Sequence, residues 1–423
     1  MKKLLHKRLS SFIEKHQILF IFQYGFRKLH STTLALIEIT DKIKKYLDDG
    51  NYVMGIYLDL TKAFDTVDHE ILLHKLSCYG IRGHANNFFR SYLTGRKQYT
   101  YVNSTKSTTR NIEHGVPQGS VLGPLFFILY INDIQFAVDF NKLRLFADDT
   151  GIFIFNKKLD VLINNSKQLL KHLYNWFQDN RLTLNHKKSY FSIFHNKNKP
   201  MPDDLTSIEI PEIGVKISRS SSVKYIGLIL DEKLDFKEHT ASVIKSVTKF
   251  FGMFKKIKDH ISFKLARQLY FAFIYSRLKY GIEIYGNCAK TLMKKLQIVQ
   301  NKLLKFLFKK GPLTGTDELH HEIRILQLKD LFEFSLAKLV HDCLNDNCPP
   351  SFSNYFQFRP PSLLSRVMDT LTIPKSKKGV GQSRVECNGA KIWNKTDKSI
   401  TSLPNRNSFK KTLMDSILAK YNT

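Results

Sequence analysis

Two apolar runs, Leu143 to Ala147 and Ile152 to Phe155, flank the tight acidic segment Asp148-Asp149-Thr150-Gly151 in KLRLFADDTGIFIF. Short runs with a polar break between them read as a β-hairpin. Burying both strands forces the two carboxylates against a sheet, where adjacent negative charges repel and shift in pKa unless a cation neutralises them. A second run, Tyr52 to Leu58 (YVMGIYL), is apolar throughout and short, so it reads as an interior strand that delivers Asp59 at its C-terminal end. An Asp-Asp pair alone is weak evidence. Asp48-Asp49 and Asp203-Asp204 read as solvated turns, and it is the flanking strands that set Asp148-Asp149 apart.

Around these strands the pattern alternates with helices. Residues 4–47 read as helix, the turn-like QYGFRKLHS, then a helix from about Ser31 carrying Leu34, Ile37 and Tyr46. Asp68 is placed as N-cap of HEILLHKLSCY, with Gly80 as the stop and a short helix near residues 88–93 following. QYTYVN and TTRNIEH read as a strand pair. The segment after Gly123-Pro124 is almost wholly apolar and so is expected as a buried helix. An amphipathic helix over 160–179 carries Leu162, Leu169, Leu173, Trp176 and Phe177, and SYFSIFH reads as a strand. Past Lys197 come a loop and the short strands IEIPEIGVKIS and VKYIGLILD. From Phe236 to about Lys310 the chain reads as Lys-rich helix with Phe250, Phe254, Leu269, Phe273, Leu296, Leu303 and Leu307 as its apolar stripe. More helices to about Leu344, a Pro-rich connection and a loosely patterned tail complete it.

The 423 residues, 43% of them hydrophobic, suffice for a sizeable core. With 66 Lys and Arg against 37 Asp and Glu, the net charge of +29 attracts polyanions, nucleic acid first among them. The same excess also reads as solvated lysines on helix faces. The longest uncharged stretch, Gly115 to Asn132, contains Pro117, Gln118 and Pro124, and its apolar centre falls short of the ~20 residues needed to span a bilayer. No membrane segment or targeting signal is expected. Cys78, Cys288, Cys343, Cys348 and Cys387 are scattered and odd in number, which indicates neither a disulfide framework nor a paired zinc motif. His341 beside Cys343 and Cys348 lacks a second ligand pair to complete a tetrahedron. A reducing intracellular setting, cytoplasm or nucleus, follows from this cysteine usage.

YLDLTKAFDTVDH, HGVPQGSVLGPLFFILYINDI and LRLFADDT, in this order, closely resemble the successive palm motifs of reverse transcriptases. The F-A-D-D form, A-F-D-T-V-D-H and the preceding QYGFRKLHST most resemble non-long-terminal-repeat (LINE-type, jockey-like) retrotransposons. The resemblance is strong over residues 4–231 and fainter through LKYGIEIYG and KIWNKTDKSI. It implies an α+β right-hand polymerase. Residues 1–50 would be partial fingers, 51–231 a palm of antiparallel sheet and packed helices with inserted fingers elements at about 81–113, 232–310 a helical thumb, and 311–423 a helical C-terminal region and tail.

The implied activity is RNA-directed DNA polymerisation, a phosphoryl transfer in which the protein positions reactants and neutralises charge. Two Mg²⁺ ions, with Mn²⁺ as a substitute, suit that task, and Mg²⁺ needs only one or two protein carboxylates beside substrate phosphates. By resemblance Asp59 and Asp148 would ligate both metals, Asp149 would complete the site and the Leu60 carbonyl would be a further ligand. Phe64 falls where the family places a wall beneath the incoming sugar, though it reads equally as core packing. Gln118 would touch the incoming nucleotide, and Gly119 would let backbone and template approach. Arg27 would grip the triphosphate, and Lys188 would protonate the leaving pyrophosphate; each also reads as a surface charge. Tyr225, Ile226 and Gly227 would hold the primer terminus, and the Lys-rich helices would follow the template–primer backbone.

The implied partners are an RNA template, a DNA primer and deoxynucleoside triphosphates. The chain starts downstream of the family's Arg-Pro-Ile-type fingers motif and endonuclease, so it reads as N-terminally truncated. Two rivals stay open. One is a catalytically inactive nucleic-acid-binding remnant; the other is an RNA-templated RNA polymerase, against which Phe64 and F-A-D-D speak.

Overall fold

The strand β1 (Tyr52–Leu58) is buried at all seven of its residues in the computed structural model, as a strand apolar on both faces requires. The structure describes residues 2–117, 119–139, 141–360 and 370–422. With β2 (Leu143–Phe146), β3 (Asp149–Asn156), β4 (Tyr190–Phe194), β5 (Ser207–Ile210) and β6 (Val215–Arg219), it forms a six-stranded sheet of order β2-β3-β1-β4-β6-β5. β1 and β3 are antiparallel, from Tyr52 opposite Asn156 to Leu58 opposite Thr150. β2 and β3 form an antiparallel hairpin, and β6 runs antiparallel to β5 but parallel to β4.

The stretch of sequence up to β4 also holds six helices: α1 (Lys2–Lys15), α2 (Thr32–Asp48), α3 (His69–Cys78), α4 (Gly83–Leu93), α5 (Gly123–Tyr130) and α6 (Leu159–Asp179). α5 is apolar all round, and Leu125 to Tyr130 are all buried. α6 buries one stripe, Leu162, Leu170, Leu173 and Phe177. α3 starts where expected, with the Asp68 side chain accepting from Ile71 N at 3.0 Å. Asp68 also pairs with Arg181 at 2.5 Å.

The chain divides into two compact units. The first comprises residues 1–35, 51–193 and 198–220, and the second 36–50, 194–197 and 221–423. The first holds the sheet around a core that includes Met54, Ile56, Phe126, Leu129, Leu173 and Phe177. The second contains the hairpin Ser222–Tyr225 with Leu228–Asp231, then helices Lys237–Thr248, Phe250–Ile257, Phe263–Leu269 and Lys290–Leu307, with a π-helical stretch at Tyr270–Tyr275. Phe254, Leu296, Leu303 and Leu307 are buried as expected, whereas Phe273 stays about a third exposed, at 37%, and packs its ring on Phe250 at 5.2 Å. Among the described residues no helix is long and apolar enough to cross a membrane.

Four local expectations change. The tight turn lies at Ala147-Asp148 rather than Asp148 to Gly151, because Phe146 already pairs with Asp149. Asp48 is not solvated: it is buried, and it accepts from Lys377 N at 2.8 Å and Lys378 N at 2.6 Å. The expected strand pair near residue 100 is two short pairings, Lys97–Gln98 with Arg110–Asn111 and Tyr101–Val102 with Thr105–Lys106. The tail is packed helix, since Val385–Lys395 and Arg406–Ala419 both lie against Leu328–Leu344. Buried Asp41 anchors the first of these, accepting from Val385 N at 2.8 Å and Glu386 N at 2.9 Å at a helix N-terminus, where a carboxylate is favoured.

Candidate active site

Asp59 follows the last residue of β1, and Asp149 opens β3 one step beyond the Leu58–Thr150 pair, so the antiparallel register carries both to the same end of the sheet. Asp148 occupies the second loop position of the β2–β3 hairpin. Ala147, the first loop residue, has φ +55° while Asp148 does not have positive φ, the sign pattern of a type II′ turn in which glycine is usual. The three carboxylates share one electrostatic environment. Burial raises the pKa of Asp148, and the Asp59 charge adds to it. Asp149 keeps solvent contact at the turn but is surrounded by protein mass; burial first, then the charges of Asp148 and Asp59, push it up to about 6. Tyr190 on β4 faces the same cluster, its phenol raised by burial and then by Asp149 and Asp59.

Among the described residues no three His, Cys, Asp or Glu side chains are gathered tightly enough to enclose a metal ion. Asp148 and Asp149 each feel the Asp59 charge at this end of the sheet, as like charges brought near one another do. Hard carboxylate oxygens converging at one sheet end are a donor set suited to a divalent ion that takes its remaining ligands from phosphates and water.

The end of β1 is docked by a turn that sequence reasoning did not single out beyond Lys188. Asn185 N donates to Asp59 O at 2.8 Å, and Asp59 N donates to Ser189 Oγ at 3.1 Å. Leu60 forms an isolated antiparallel bridge with Leu184. Lys188 sits in this turn with an exposed side chain, one residue before buried Ser189. The LNHKKS wording, with small polar residues bracketing the lysines, was the signal available.

Phe64 is half-buried, stacked on buried Phe127 at 4.4 Å and met edge-on by Phe26 at 6.4 Å. Its backbone receives Val116 N at 2.8 Å, and Gly115 N donates to Val67 O at 2.8 Å, so AFDTVDH and HGVPQGS pair directly. Gly115, at φ +87°, leaves only 2.7 Å between an added Cβ and Asp65 O, so a side chain there would part the two motifs. Gln118 lies outside the described residues. Gly119 has φ +75° and open space around it, so the turn's backbone rather than crowding calls for glycine there.

Arg27 is turned onto its own loop, donating from Nη1 to Phe20 O at 2.8 Å and Gln23 O at 3.3 Å. Burial lowers its pKa from the ordinary value. In the second unit, Ile226-Gly227 forms the two-residue tip of the hairpin, both at positive φ, as a type I′ turn requires. The Tyr225 ring is buried at 4% exposure, and the Tyr280 hydroxyl donates to Ile226 O. Tyr280 belongs to LKYGIEIYG, so that motif supports the hairpin. Lys245, Lys249, Lys255, Lys256, Lys264, Lys294 and Lys295 are exposed on the helices that follow.

Residues 1–230 match the family described as reverse transcriptase (RNA-dependent DNA polymerase). The chain belongs to the reverse transcriptase family. Its mixed sheet and helices are accordingly a right-hand polymerase fold. Members of this family generally use divalent metal ions. Relatives are named for non-long-terminal-repeat retrotransposons: a probable RNA-directed DNA polymerase from transposon X-element of Drosophila melanogaster is 26% identical over 86% of this chain and 40% of its own length. The RNA-directed DNA polymerase from mobile element jockey of the same species is 25% identical over 82% of this chain and 38% of its own. The chain thus spans about two-fifths of the length of these relatives. Among solved structures, telomerase from Candida albicans in complex with a fragment of telomeric RNA is similar at 11% identity and TM-score 0.38, over 77% of this chain and 58% of the other.

Proposed function

We propose that this chain is the polymerase part of a retrotransposon reverse transcriptase, extending a DNA primer along an RNA template. The observation that carries the reading is that the β1–β3 register and the β2–β3 hairpin bring Asp59, Asp148 and Asp149 to one end of the sheet. In this reading residues 1–50 are partial fingers, 51–231 palm with fingers insertions at about 81–113, 232–310 helical thumb, and 311–423 a helical C-terminal region and tail. Asp59, Asp148, Asp149 and the Leu60 carbonyl hold two Mg²⁺ ions, or Mn²⁺ in their place. Such ions, when bound, neutralise the triphosphate and activate the primer hydroxyl.

The chain's own residues then position and select. Phe64, buttressed by Phe127, is a wall against a 2′-hydroxyl. Gln118 and Gly119 border the incoming deoxynucleotide. Arg27 steadies the loop beside it and grips triphosphate with the guanidinium nitrogens that the loop bonds leave over. Lys188, exposed in the turn docked on Asp59, donates a proton to pyrophosphate. Tyr225, Ile226 and Gly227 present the primer end through the hairpin tip, and the exposed lysines contact phosphates along the duplex.

Primer extension by the purified chain on an RNA template with deoxynucleotides and Mg²⁺ tests this. Extension that disappears in Asp148→Asn supports the assignment; undiminished synthesis by that variant refutes it. RNA binding without any extension by the wild type favours a non-catalytic nucleic-acid-binding protein instead.

A further inference from the structure

Gln23 lies in the QYGFR loop, is 1% exposed, and sits in the middle of a segment that runs along β2. Leu145 N donates to Phe22 O at 3.0 Å and Tyr24 N to Leu145 O at 2.8 Å, which makes Gln23 and Leu145 a parallel bridge. The Phe22 ring lies 3.7 Å from the guanidinium of buried Arg144. Gly25 allows the closest approach, since a Cβ there would fall 2.3 Å from Ala147 N. The loop is therefore pressed against the hairpin that bears Asp148 and Asp149.

One side chain reaches past β2 into the hairpin loop itself. Gln23 Oε1 accepts from Gly25 N at 2.8 Å and from Ala147 N at 3.0 Å. Ala147 is the residue held at φ +55°. Fixing its N–H while φ is positive sets the direction in which the chain leaves toward Asp148. The other half of the carboxamide, Nε2, is buried with no partner among the described residues. A buried amide with idle donors is a costly way to fill space that Met or Leu would fill without an orphaned group. What the amide supplies in return is an acceptor for the N–H of the turn's first residue.

We propose that Gln23 is a positioning residue for the catalytic turn: its carboxamide oxygen locks Ala147 at its positive φ and so aims the Asp148 carboxylate at the site shared with Asp59 and Asp149. This rests on the polymerase reading above. Gln23 touches neither nucleotide nor reacting atoms in this scheme and acts through the backbone of the turn.

Gln23→Met keeps size and removes the acceptor; Gln23→Glu keeps an acceptor oxygen for both N–H groups. Two measurements on the full chain are compared: Mn²⁺ binding by electron paramagnetic resonance, and primer extension resolved into kcat and KM. Gln23→Met is expected to weaken Mn²⁺ binding about tenfold and lower kcat by roughly ten- to a hundredfold, with KM for the primer–template within about twofold. Gln23→Glu is expected to retain both within about threefold, and adding Ala147→Gly to Gln23→Met to restore part of kcat, since glycine adopts the turn unaided. If Gln23→Met is unfolded by circular dichroism, Gln23→Asn, one methylene too short to reach Ala147 N, replaces it under the same criteria. Wild-type behaviour of the Met variant, or equal losses in Met and Glu, overturns the inference while leaving the polymerase reading in place. A wild-type chain that neither binds Mn²⁺ nor extends a primer overturns both.

Discussion

Asp149→Asn is predicted to stabilise the folded protein while abolishing extension. The Asp149 carboxyl is pushed from 3.8 to about 6 by burial and by the charges of Asp148 and Asp59. Between those values the folded state binds more protons than the unfolded one, so stability falls as pH rises from about 4 to about 6 and is level above. The full displacement corresponds to about 3 kcal/mol, and solvent contact at the turn screens it to about 1–2 kcal/mol. Asn carries no such penalty. In EDTA at about pH 8 the variant should melt higher than the wild type by roughly 2–8 °C, with the gap narrowing to about half near pH 5 and closing near pH 4. Excess Mg²⁺ should raise the wild-type midpoint and leave the variant's nearly unchanged, because only the complete carboxylate set binds the ion well. Thermal unfolding by circular dichroism across this pH range, with and without Mg²⁺, measures all three. An Asn variant no more stable than the wild type at pH 8, or a gap that does not change with pH, refutes the idea that these carboxylates are held together against their repulsion.

Two further outcomes follow from the same structure. Phe64→Ala removes the ring stacked on Phe127 and should raise ribonucleotide incorporation relative to deoxynucleotide by about tenfold or more, read from competitive single-nucleotide extension; an unchanged sugar preference returns Phe64 to core packing. If the exposed lysines from Lys245 to Lys295 track phosphates, primer–template affinity should fall by roughly a thousandfold between about 50 and 200 mM salt, and a flat salt dependence in fluorescence anisotropy would remove them from the nucleic-acid surface.

The placement of Asp59, Asp148 and Asp149 at strand ends was legible because β1 is apolar throughout and the runs flanking the acidic pair are mostly apolar, broken by Arg144 and Thr150. The register of the turn was not. Local preference puts a tight turn on Gly151, whereas the observed loop places Ala147 at positive φ, held by a glutamine 124 residues away in sequence. Asp48 was misread for a similar reason: its partners, Lys377 N and Lys378 N, lie more than 300 positions along the chain, and nothing local marks the carboxylate as buried. In the tail, Val385–Lys395 is covered on most of its sides, which blurs its pattern, while Arg406–Ala419 buries the single stripe Phe409, Leu413, Ile417 and Leu418; Trp393 and Phe409, from these two helices, stack at 5.9 Å. Arg27 shows the opposite limit. Its motif position was legible, but its hydrogen bonds to its own loop could not be read from residue type.

The two hairpins that carry assigned residues share a device. Each has a two-residue loop whose first residue is non-glycine at positive φ, Ala147 at +55° in the first unit and Ile226 at +42° in the second, and each is tied to a distant side chain, Ala147 N donating to Gln23 Oε1 and Ile226 O accepting from the Tyr280 hydroxyl. For a β-branched residue this conformation is a genuine outlier, and such strain persists only where surroundings over-determine it. At Ile226 the Tyr280 hydroxyl donates to the carbonyl, and the Tyr280 ring also lies 3.1 Å from where a Gly227 Cβ would stand. Tyr280→Phe should therefore cost about 1 kcal/mol, and Ile226→Asn, which tolerates the left-handed region, should lose much of its benefit or harm once Tyr280 is gone. A double-mutant cycle by denaturant unfolding reads that coupling directly. If the two changes add within error, the tyrosine does not hold the turn, and the strain at Ile226 must be sustained by the strand pairing on either side.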